Sequence, residues 1–331
     1  MTAVGEEQVK AERVYGLPSW LNLWAVREYG VVIAFLALFV TLSLSSGAFF
    51  TRANMINLAF QAAPVGIIAA GGTLVFIAGG FDLSVGAISG FAAIMCGKAF
   101  LNTGIGLWGS FIVGALVGLA CGIGNGILIT VGKVNAFIAT LATSIIIYGV
   151  AQVVTGGNLV SVQANNFSVL GLGSAWTINY PIFVWIGFSL FCGFLLSRTA
   201  FGRYVYAVGG NREAARLSGV RVNVIRTMTF ALSGLGAGIA GVVLFSEVST
   251  AQWNANQGIE FTSITAIVLG GTSLLGGEGA VWRTALGALF LTMIGNGFDL
   301  LGTTPQWQYV LQGVILAAAV SLDAWTRRSR A

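Results

Sequence analysis

Residues 107–131 read LWGSFIVGALVGLACGIGNGILITV, twenty-five residues without a charge. A transmembrane helix needs roughly 20 mainly apolar residues, and as a helix this stretch is long enough to cross. Gly114, Gly118, Gly122 and Gly126 fall at a spacing of four within it. That spacing aligns them down one helix face. Lacking Cβ atoms, they let a neighbouring backbone come close, which is how membrane helices associate when hydrophobicity gives no net drive. The stripe therefore predicts tight helix packing, within the bundle or across a dimer, rather than ligand contact. Residues 227–247 carry a looser version in Gly234, Gly238 and Gly241.

The rest of the chain has the same character. Of 331 residues, 56% are hydrophobic and 8% charged, with mean hydropathy +0.87. A soluble domain carries roughly 25% charged residues, so most of the outer surface must face lipid. No alternating pattern of about ten residues recurs, which argues against a β-barrel. Helices remain, because they satisfy their own backbone hydrogen bonds in hydrocarbon. Candidate spans lie near 29–50, 58–78, 84–101, 107–131, 136–155, 181–197, 227–247, 261–276, 284–301 and 307–325. The expected fold is an all-α polytopic membrane protein of about ten transmembrane helices. Its transmembrane domain covers 29–325, between an interfacial N-terminal segment 1–28, with Trp20 and Trp24 beside the first span, and a tail 326–331.

The basic residues orient it. With the N-terminus inside and all ten segments crossing, fourteen of the sixteen lysines and arginines fall on the cytoplasmic side, and only Arg52 and Lys98 fall outside. This is the positive-inside bias, and it places both termini in the cytoplasm. The net charge of +5 thus serves orientation and lipid headgroups, not nucleic acid. The chain contains no histidine, and Cys96, Cys121 and Cys192 lie in apolar stretches without a CxxC pair. No metal site and no catalytic residue is expected. The outer loop 156–179 has no charged residue and reads either as a docking surface or gate, or as a plain connector.

Three further stretches stand out. Residues 79–86 read GGFDLSVG. An acid beside a membrane helix is by default a functional hypothesis, although Asp82 or Ser84 could equally cap the following helix. Residues 209–219 read GGNREAARLSG, within the arginine-rich inner stretch 198–226. Asn211 is an N-cap, Glu213 sits in the first turn and Gly219 is a stop, which predicts a short surface helix. The alternative reading is a basic loop held at lipid headgroups. Residues 269–279 read LGGTSLLGGEG, but no GxxxxGK[ST] occurs anywhere, so no nucleotide site is expected. Ile123-Gly124-Asn125-Gly126 recurs as Ile294-Gly295-Asn296-Gly297, either by inverted repetition or by chance. Gln61, Asn125, Gln152, Asn296 and Gln312 are polar groups inside spans that either line a pathway or tie helices together.

Read in order, the three stretches resemble the ribose-type permeases of monosaccharide ABC importers, with departures at Phe81, Thr262 and Glu278. The likeness runs from residue 79 to about 315. It implies a fold similar to the cobalamin-importer permease, with two permease subunits, identical or related, around one pathway. It implies that Asn211, Arg212, Glu213, Ala214, Ala215, Arg216 and Gly219 form the loop that couples to a separate ATPase subunit. ATP and Mg would bind that partner and no cofactor this chain, and an extracytoplasmic sugar-binding protein would deliver the solute. Asp82, Ser84, Gln61, Asn125 and Asn296 are the expected pathway or gate residues. An ion-coupled secondary transporter is the alternative; a membrane enzyme lacks any HExxH or GxSxG to support it.

Overall fold

The computed structural model describes residues 23–164, 166–304 and 306–328. The N-terminal segment before Leu23 and the tail from residue 329 lie outside the described residues. The fold is a helical membrane bundle. In chain order its long helices are α1 (Leu23–Ser45), α2 (Arg52–Ile77), α3 (Val85–Thr103), α4 (Gly106–Thr130) and α5 (Ala136–Thr155). After a loop excursion come α6 (Val169–Leu172) and α7 (Tyr180–Arg198), then the shorter helices α8 (Ala200–Gly210) and α9 (Arg212–Leu217). The chain closes with α10 (Val222–Val248), α11 (Ile259–Leu269), α12 (Val281–Leu300) and α13 (Gln306–Arg328). Six of these, α2, α3, α4, α5, α7 and α10, are long and apolar enough to cross a membrane.

The eighth expected span departs from its sequence pattern. Residues 261–276 are apolar on average, yet the helix is only Ile259–Leu269. Eleven residues reach about 16 Å, roughly half of a 30 Å hydrocarbon core. Gly270 and Gly271 (φ +74°) turn the chain out of the helix. The polar run 252–258 that precedes α11 is also non-helical and lies against the first turns of α3. Asn256 Nδ2 donates to Ser89 Oγ at 2.9 Å, and a Cβ on Gly90 would stand 3.4 Å from the Trp253 carbonyl oxygen. Non-helical backbone is tolerated at such depth only where protein covers it or water lines it.

Helices α2 and α10 form the buried centre. Helix α10 packs on α4, α2 and α3, and Ala237, Ala240 and Val243 are fully enclosed or nearly so. Helices α5 and α7 stand at the rim, where Ile145, Ile146, Leu190 and Phe194 are exposed.

The glycine stripe of α4 faces α10. A Cβ on Gly118 would meet the Gly234 carbonyl oxygen and stand 2.6 Å from Gly238 Cα. One on Gly126 would stand 2.7 Å from Thr227 Cα, and one on Gly114 would run into Val242. Gly122 meets Phe230 and Gly234 in the same way. Two backbones touch here, and van der Waals contact over two full helices replaces the missing hydrophobic drive.

The loop 156–179 is anchored at one end of the bundle. Strand β1 (Val160–Ser161) pairs antiparallel with β4 (Thr250–Ala251), and β2 (Ser174–Ala175) pairs with β3 (Ile178–Asn179). The Phe167 ring is fully buried among Phe100, Phe111 and Phe245, at centroid distances of 5.2, 5.6 and 4.7 Å. Ser246 Oγ accepts from Gly171 N–H and donates to the Phe167 carbonyl. The loop is thus a folded cap on α3, α4 and α10, not a free connector.

Candidate functional site

At the end of the bundle away from this cap, the three glycine-rich stretches meet. Gly79 adopts φ +70° and turns the chain after α2. Gly277 N–H donates to the Ile77 carbonyl at 2.8 Å, and Arg212 Nη2 donates to the Gly79 carbonyl at 2.9 Å. A Cβ on Gly209 would strike the Ile77 carbonyl oxygen, and one on Gly276 would stand 2.9 Å from Gly79 Cα. Tyr206 Oη donates to the Gly279 carbonyl at 2.8 Å. Glycine is required because three backbones occupy space that any side chain would claim. The result is a plate joining the end of α2, the end of α8 and the 270–280 loop.

Helix α9 projects from this plate. Asn211 Oδ1 accepts from Ala214 N–H at 2.9 Å, capping it. Gly219, at φ +83°, donates its N–H to the Arg216 carbonyl and turns the chain toward α10. Glu213 and Arg216 form an ion pair at 2.6 Å on the exposed face; the hydrogen bond from Arg216 holds the Glu213 carboxyl below its ordinary pKa. Ala214 is exposed while Ala215 is buried. The two alanines therefore have different surroundings: Ala215 seats the helix on its own bundle, and Ala214 faces outward. Leu217 is the residue that sequence reasoning passed over. It is 77% exposed at the tip of α9, and Leu275 in the neighbouring loop is 70% exposed. Only the charged-to-apolar step within RLSG marked it beforehand.

The other expected site residues fall into two settings. Asp82, Ser84 and Asn125 are buried together. Asp82 Oδ1 accepts from Ser84 Oγ at 2.5 Å and from Ser84 N–H at 3.0 Å, and Oδ2 accepts from Ser233 Oγ at 2.8 Å. Asn125 Nδ2 donates to Ser84 Oγ at 2.7 Å. This network ties the 79–84 turn to α4 and α10, and in this conformation it faces protein. Asn296 is also buried and exchanges amide hydrogen bonds with Asn54 at 2.8 and 3.0 Å, linking α12 to α2. The two Ile-Gly-Asn-Gly copies thus each present a buried asparagine to a neighbouring element.

Gln61 is different. It is exposed in α2 and lines a cleft of about 230 Å³ with Thr262, Thr292, Asp299, Gln308 and Gln312. Gln312 Nε2 donates to Thr262 Oγ1 at 2.8 Å, and Gln308 Nε2 to Asp299 Oδ1 at 3.2 Å. Gln308 and Gln312 share a face of α13 at spacing four, a signal the sequence carried. Among the described residues, no group of histidines, cysteines and acids could hold a metal ion.

A family model described as branched-chain amino acid transport system / permease component matches residues 54–320. The chain belongs to this permease family. It is 36% identical over 323 residues to the ribose import permease protein of Escherichia coli (strain K12), covering 96% of this chain and 98% of that protein. It is 36% identical to the ribose import permease protein of Bacillus subtilis (strain 168), covering 90% and 93%. The L-arabinose transport system permease protein of E. coli (strain K12) is also 36% identical, covering 92% of each chain. No solved structure matches this chain. The matched region runs from the first turn of α2 into α13 and contains all three loops of the plate.

Proposed function

We propose that this chain is the membrane subunit of an ABC importer and carries a neutral monosaccharide. A separate ATPase subunit binds ATP and Mg and docks on the cytoplasmic loop 198–226. An extracytoplasmic sugar-binding protein delivers the solute to the outer face, and two permease subunits enclose the pathway. Ten segments cross, the eighth as the non-helical run 252–258 continued by the short helix α11, with both termini inside, in a fold similar to the cobalamin-importer permease. One observation carries this: loops far apart in sequence, around residues 79, 209 and 277, interlock into a plate, from which a capped helix bearing exposed Leu217 projects. A lever must be rigid at its base and apolar at its tip to pass force between polypeptides, and this one is both. The family's relatives supply the solute class, since those compared above are named for ribose and arabinose import.

Membrane vesicles holding the permease, its ATPase subunit and its binding protein should accumulate a radiolabelled pentose or hexose when supplied with ATP. Accumulation should survive a protonophore. Uptake that collapses with the proton gradient and ignores ATP would overturn the assignment in favour of an ion-coupled carrier. Topology is checked separately. In a cysteine-free background, Ser161→Cys should react with an impermeant maleimide in intact cells, and Ser218→Cys only after lysis. Reaction of both in intact cells would remove the ten-span arrangement.

A further inference from the structure

We infer that the cleft lined by Gln61, Thr262, Asp299, Gln308 and Gln312 is this chain's solute-holding site for a neutral polyhydroxylated ligand; this rests on the importer assignment above. Gln61 lies nine residues into α2, about 14 Å along the helix from Arg52. It is exposed, and its amide makes no hydrogen bond among the described residues. A carboxamide at such depth does not stably face hydrocarbon, where unsatisfied polar groups are costly. Five more polar side chains, Thr292 among them, converge on the same cleft from α11, α12 and α13. A patch of this kind faces a water-filled path.

The donor and acceptor set narrows the ligand. Gln308 and Gln312 spend an amide hydrogen on Asp299 and Thr262, which orients both amides. The Gln61 amide is free as donor and acceptor, and Asp299 is exposed with oxygen lone pairs to spare. Carboxamides and a carboxylate suit adjacent hydroxyls, each of which donates once and accepts. Among the described residues, no basic side chain lines the cleft. Phosphate and carboxylate ligands therefore find no counter-charge and meet Asp299 as a like charge. The volume of about 230 Å³ lies below the roughly 300–1,000 Å³ of sites for drug-sized ligands and suits one sugar ring. Asp299 stands near the outer end of α12, and Gln61 lies deeper. The cleft thus leads inward from the face where a binding protein docks.

The test uses the whole complex and a panel of labelled neutral pentoses and hexoses. For the sugar that the wild type takes up best, Gln61→Ala and Gln312→Ala should each raise the apparent KM about five- to tenfold, as expected for unpaired polar groups. The rate ratio between that sugar and its epimers should shift as well, which a mere loss of folded protein cannot produce. Asp299→Asn should relax exclusion of the corresponding aldonate, measured as its rate relative to the sugar. Unchanged KM and unchanged ratios in all three variants, with normal complex yield, would overturn the site while leaving the importer assignment standing. Dissociation of paired permease subunits at unchanged KM would also overturn it and mark the cleft as a subunit seam. Failure of the wild type to take up any sugar with ATP would sink the importer assignment, and this site with it.

Discussion

Gly118→Leu should abolish recovery of folded permease from the membrane, whereas Gly124→Leu, six residues along the same helix, should be recovered at near normal yield. A Cβ on Gly118 already collides with the backbone of α10 at Gly234 and Gly238. A leucine adds three more carbons to that space. The atoms in the way are main chain, so no rotamer change clears them; the helices must separate along their length. Overpacking in a well-packed core costs about 1–3 kcal/mol, and here the cost adds to the packing lost at Gly114, Gly122 and Gly126, which depend on the same approach. Gly124 faces the other way and has nothing within 4 Å. The measurement is the yield of monodisperse protein in detergent for both variants. Normal yield of Gly118→Leu would show that α4 and α10 do not meet as described. Loss of both would show only that α4 tolerates no leucine.

The contrast between these two glycines shows what the sequence could convey. A spacing of four picks out a face, and α4 carries that face in plain form. Which helix it meets is a tertiary fact; the set Gly234, Gly238 and Gly241 in α10 breaks the spacing of four at its last member and leaves the partner open. The inner plate illustrates the same limit. Each glycine-rich stretch is visible alone, but Gly79, Gly209 and Gly277 meet through backbone carbonyls and N–H groups, which leave no side-chain pattern to read. The eighth segment misled because apolar averages do not sense φ: Leu274 and Leu275 extend the hydropathy beyond the point where Gly271 has turned the chain. The pathway candidates separated for a further reason. Asn125 and Asn296 are as polar as Gln61, and only the presence of Ser84 and Asn54 opposite them distinguishes a helix tie from a group left facing the cleft.

Leu217→Asp should leave the permease inserted and folded but reduce uptake to background. Leu217 lies 77% exposed on a six-residue helix. It belongs to no cluster of the bundle, so replacing it removes little from the fold; isolated surface changes are usually worth within about 0.5 kcal/mol. On the proposed coupling role, its contribution is to the ATPase partner. Burying a leucine side chain is worth about 1.5–3 kcal/mol, which is roughly one to two powers of ten in affinity for the ATPase subunit. Aspartate adds the cost of desolvating a carboxylate beside Glu213, so the combined loss lies at the upper end or beyond. Ala215→Asp is the less informative variant. Ala215 is buried against its own chain, and a charge there would unseat α9 whether or not α9 touches an ATPase. Copurification of the ATPase subunit with Leu217→Asp is the deciding measurement, with outer labelling at Ser161→Cys as the control for insertion. Wild-type copurification together with wild-type uptake would mean that force enters the permease elsewhere on the inner plate. Leu275, 70% exposed on the adjoining loop, would then be the residue to test.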